Sequence, residues 1–118
     1  MRSIPLNGKW QYILDPKEAG EKLRYFDNSV KFKRTMFIPN NWQVAGIDNY
    51  SGTVWFKKEF GRVAVAKDED AILGFAGVDY FAKVWLNGKL LGEHEGYFQP
   101  FEFDVTEHLR DRNCLIVK

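Results

Sequence analysis

Residues 77–106 read GVDYFAKVWLNGKLLGEHEGYFQPFEFDVT, and their pattern decides the fold. Ala82, Val84 and Leu86 fall on one face of an extended segment, Asn87-Gly88 is a turn dipeptide, and Leu90 opens a second extended run. Together they predict a β-hairpin. After an irregular stretch from His94 to Pro100, alternation resumes: Phe101, Phe103 and Val105 point one way, Glu102 and Asp104 the other. One face packs and the other meets water or a partner.

Working outward, residues 53–60 alternate in the same manner, with Val54, Phe56 and Phe60 inward and Trp55, Lys57 and Glu59 on the wetter face. Residues 71–78 form a mostly apolar run, as expected of a central strand buried on both sides. Near the start, Leu6-Asn7-Gly8-Lys9 reads as a turn, followed by Trp10, Tyr12 and Leu14 at period two. Asp15-Pro16-Lys17-Glu18 carries a helix start, with Asp as N-cap and Pro at the first position. A short helix or helical turn follows, which Gly20 weakens by about 1 kcal/mol, so it ends before Asp27-Asn28. Residues 31–38 are extended up to Pro39, and GIDNYSG at 46–52 is the most turn-rich loop. Thr106 caps a helical turn, and residues 113–118 begin a last strand. Short strands separated by turns predict an all-β chain folded as an antiparallel β-sandwich, with an immunoglobulin-like sandwich as the alternative topology.

At 118 residues the chain is one domain, too small for a barrel enzyme of about 250 residues. Hydrophobic residues at 45% and aromatics at 16% suit a packed core and argue against disorder. Seventeen Lys and Arg against sixteen Asp and Glu, interspersed, give a net charge of +1, which points away from nucleic acid and anionic membranes. The N-terminus lacks the apolar segment of a signal peptide and no window suits a membrane span, which predicts a cytoplasmic chain. Cys114, the single cysteine, has no internal disulfide partner and reads as a buried small hydrophobe.

Four blocks carry a resemblance: LNGKW at 6–10, IPNNW at 38–42, NYSGTVWFKKEF at 49–60 and VWLNGKLLGEHEGYFQPFEFDVT at 84–106. In that order they resemble the N-terminal sugar-binding domain of glycoside hydrolase family 2, which includes β-galactosidases, β-glucuronidases and β-mannosidases. The resemblance implies a jelly roll of the galactose-binding type, spanning 1–118 as an N-terminal piece of a larger glycosidase. It also implies that the family's domain continues with further strands. An edge left open by their absence would pair with a second copy of the chain.

Glycoside hydrolysis needs two carboxylates flanking the bond, one with a raised pKa. Glu93 with Glu95, and Glu102 with Asp104, read as solvated strand faces. The resemblance agrees, since family 2 enzymes carry their catalytic glutamates in a C-terminal barrel; no catalytic residue is expected here. His94 between two glutamates cannot converge with them on a metal, and His108 stands alone, so neither metal nor cofactor is expected. Sugar sites pair an aromatic platform with amide or carboxylate groups. Two loops have that composition, giving Asn49, Tyr50, Tyr97 and Gln99 as candidate carbohydrate contacts. Trp55, Trp85 and Phe98 are candidates for an exposed apolar face packed on the following domains. The competing reading is a free-standing carbohydrate-binding module with its own groove.

Overall fold

A computed structural model describes residues 5–38, 53–66, 69–75, 81–95 and 100–118. Among these residues eight strands follow in chain order: β1 (Gly8–Asp15), β2 (Arg34–Ile38), β3 (Thr53–Gly61), β4 (Ile72–Phe75), β5 (Phe81–Leu86), β6 (Lys89–Glu95), β7 (Phe101–Asp104) and β8 (Arg112–Val117). A six-stranded antiparallel sheet has the order β2-β1-β3-β8-β5-β6, and β4 pairs with β7 in a small second sheet. The result is the all-β sandwich that the alternating pattern predicts.

The β5–β6 hairpin turns at Asn87-Gly88, whose φ values of 53° and 84° are both left-handed. That geometry follows the right-handed twist of the flanking strands, and glycine adopts it without a Cβ clash. On the inner face of the large sheet, Trp10, Ala82, Val84, Leu86, Leu115 and Val117 are buried, and Leu73, Phe75, Phe101 and Phe103 of the small sheet pack onto them. Tyr12, Met36 and Val54 continue this face toward β2.

The outer face is covered as well, by residues 16–33. This strap includes a short 3-10 helix (Tyr25–Asp27) and lays Tyr25, Phe26, Val30 and Phe32 over Trp55, Trp85 and Ile116. Of the short helix or helical turn foreseen after Asp15, turns form, and the Asp15 carboxylate accepts from the backbone N–H of Ala19 and Gly20 and from the indole of Trp55. Two expectations change. Leu6-Asn7-Gly8-Lys9 runs straight into β1 rather than turning. The apolar run near residue 72 is not a central strand: β4 pairs with β7 alone, and its exposed Ile72 and Gly74-flanked alternation fit a half-covered strand. Strand β8 is paired with β3 on one side and β5 on the other.

Candidate functional site

Asn49, Tyr50, Tyr97, Phe98 and Gln99 lie outside the described residues. Their chain neighbours fix where these loops attach. Ile38 faces Gly8 at one end of β1, whereas Thr53 faces Asp15 at the other, so Asn49 and Tyr50 belong to a connection between opposite ends of that strand. Tyr97, Phe98 and Gln99 join β6 of the large sheet to β7 of the small one.

Trp55 and Trp85 do not form an exposed apolar face. Trp55 is 0% and Trp85 4% exposed. Their rings stack at 5.0 Å, Phe26 stacks on Trp85 at 5.2 Å, and Tyr25 meets Trp55 edge-on at 5.6 Å. Alternation correctly puts both tryptophans opposite the inner core, but the strap, not water or another domain, covers them. Cations flank the stack: Lys118 lies 5.7 Å from the Trp55 ring and Lys83 5.5 Å from the Trp85 ring. Glu21, on the strap, bonds both amines at 2.6 Å. Hydrogen bonds from Lys118, then Lys83, hold its carboxyl below the ordinary glutamate value. Lys57, 3% exposed, donates to the Val30 carbonyl at 2.9 Å and sits 4.4 Å from the Phe32 ring. Composition could not show this latch, because Glu21 and Lys118 meet only through the fold.

The carboxylate pairs stand as their spacing suggests. Glu93 is exposed and lies 3.4 Å from Lys83 on the strap side, while His94 on the opposite face stacks on Phe101 at 4.2 Å. The two side chains therefore diverge. Asp104 accepts from the hydroxyl and backbone N–H of Thr106, which lower its pKa. A general acid needs the opposite shift. Cys114 is half-buried among the strap-side aromatics, and burial pushes its thiol up to about 11. A shallow cavity of about 330 Å³ is lined by Lys9, Trp10, Gln11, Thr35, Lys57, Lys58 and Glu59. Its one aromatic, Trp10, is 7% exposed and cannot serve as a stacking platform.

Architecture and site together define an antiparallel β-sandwich in which Trp10, Trp55 and Trp85 are buried on its two internal faces. Residues 27–118 match the family described as the glycosyl hydrolase 2 galactose-binding domain-like domain, and the chain belongs to that family. Among curated relatives, a β-glucuronidase of Formosa agariphila is 38% identical over 95% of this chain and 13% of its own length. A β-glucuronidase of Streptococcus agalactiae is 31% identical over 86% of this chain and 16% of its own length. Among solved structures, a β-glucuronidase of an uncultured Clostridium superposes with a TM-score of 0.83 at 31% identity, over 95% of this chain and 21% of the other. The chain thus spans less than a quarter of each of these proteins and corresponds to their non-catalytic N-terminal domain. Among the described residues, no helix is long and apolar enough to cross a membrane.

Proposed function

We propose that this chain works as the N-terminal domain of a β-glycoside hydrolase of the β-galactosidase or β-glucuronidase type, packed on a catalytic barrel and shaping its carbohydrate subsite. The observation that supports it is the span: nearly the whole chain superposes on a small part of a much longer β-glucuronidase. In this reading Asn49, Tyr50, Tyr97 and Gln99 contact the sugar from the loops and Phe98 meets the neighbouring domain. Trp55 and Trp85 are buried, so neither makes these contacts. The enzyme acts in the cytoplasm. Self-association through a sheet edge falls to β2 or β6, since those strands end the large sheet; β2 carries Phe37, 64% exposed.

Fusing the chain in place of the matched segment of the Streptococcus agalactiae β-glucuronidase tests the packing. A folded fusion that hydrolyses β-glucuronides, with KM raised by Tyr50→Ala or Tyr97→Ala, supports the reading. A folded but inactive fusion refutes it. Saturation transfer from the chain by itself to galactose or glucuronic acid, lost in the same variants, would favour a free-standing binding module.

A further inference from the structure

The tetrapeptide Leu-Asn-Gly-Lys occurs twice, at residues 6–9 and 86–89. Asn-Gly is the dipeptide most prone to deamidation. The backbone nitrogen of the glycine, unhindered by a side chain, attacks the asparagine carboxamide carbon and ammonia leaves. Water then opens the cyclic succinimide to aspartate or isoaspartate. Because the two copies share the same flanking residues, their intrinsic rates are alike and only structure can separate them.

Structure separates them sharply. Asn7 is exposed, ahead of β1. Asn87 has its carboxamide held at both ends: Nδ2 donates to the His108 carbonyl at 2.8 Å and to Asn113 Oδ1 at 3.0 Å, while Oδ1 accepts from Cys114 N–H at 2.9 Å. Its own N–H donates to the Cys114 carbonyl at 2.9 Å. Turning the carboxamide carbon toward Gly88 N requires breaking these bonds together, which means detaching the hairpin tip from β8. We propose that Asn7 is a deamidation site of the folded chain, and that Asn87 is held unreactive until the hairpin opens. The modified Asn7 adds a carboxylate beside Leu6, whose carbonyl accepts the Trp10 indole N–H at 2.8 Å. It takes the formal net charge from +1 to zero.

The test is peptide mapping by mass spectrometry of the chain incubated at mildly alkaline pH, folded and in concentrated urea. In urea the two sites should react within about twofold of each other. In the folded chain Asn87 should lag Asn7 by ~100-fold or more, because opening a structured core region carries much of the global stability. Equal rates at both sites in the folded chain overturn the proposal, as does a folded-state Asn7 as slow as Asn87. Hydrogen exchange of the Cys114 amide, bonded to Asn87 Oδ1, gives an independent readout: its opening should track the Asn87 rate, and deamidation of Asn87 while that amide stays protected also overturns it.

Discussion

Gly20→Ala should destabilise the domain strongly, although the exchange normally does the reverse. Replacing a glycine whose backbone is ordinary stabilises by about 0.4–1 kcal/mol by narrowing the unfolded ensemble. At Gly20 a Cβ would lie 2.5 Å from Trp55 Nε1, 2.6 Å from Cε2 and 2.7 Å from Asp15 Oδ2. Trp55 cannot retreat, for Trp85 stacks behind it at 5.0 Å and Tyr25 closes its edge. The clash falls on the 2.9 Å bond between the indole and the Asp15 carboxylate, which also accepts from Gly20 N–H at 2.8 Å. Overpacking a core costs about 1–3 kcal/mol, and weakening a hydrogen bond to a buried charge costs about 1.5–3 kcal/mol. Against the small entropic gain, the net loss is about 2–4 kcal/mol, lowering Tm by roughly 10 °C or more at this size. Urea titration followed by tryptophan fluorescence measures it. A Gly20→Ala chain as stable as the parent would show that the strap does not press on Trp55.

Glu21→Gln should cost less than about 1 kcal/mol for each ion pair it breaks, because Glu21 is 41% exposed and water screens the pairs. Its pKa is lowered in the folded state, so its contribution is present above the ordinary value of 4.5 and fades as pH falls through the folded value. The gap in urea midpoint between parent and variant should therefore be full at about pH 7 and shrink as pH falls below the ordinary glutamate value; a gap that widens in acid refutes the assignment. Cys114, with its thiol near 11 against an ordinary 9.0, should react with a disulfide reagent roughly 100-fold more slowly at about pH 8 in the folded chain than in urea. Stopped-flow absorbance reads the ratio, and equal rates would show the thiol to be open.

The hairpin was legible because Asn87-Gly88 needs two left-handed residues and few other dipeptides supply them. The β7 alternation was legible because each residue feels one side of a small sheet. Alternation failed at Trp55 and Trp85 for a definite reason: period two separates two faces but does not say what lies over either. The cover comes from residues 16–33, whose own signals are local turns and a proline. At Asp15 a capping motif was visible, whereas the carboxylate's third partner, Trp55, stands 40 positions away. The run near residue 72 misled because a short apolar segment reads alike in a central and a peripheral strand. The aromatic-and-amide composition of two loops marks them as candidate sugar contacts, and whether such side chains converge depends on tertiary geometry that composition does not carry.

The place of β8 bears on how the chain is made. Among the described residues, the β2-β1-β3 and β5-β6 groups are joined in the large sheet through β8 and the adjoining Lys118, the last of these eight strands to be synthesised. Until then β3 and β5 each expose an unpaired ladder facing nothing, the state most open to pairing with a neighbouring nascent chain. Folding of the large sheet is therefore delayed to the end of this segment's synthesis, and a pause just before Arg112 would hold two half-sheets apart at their most adhesive.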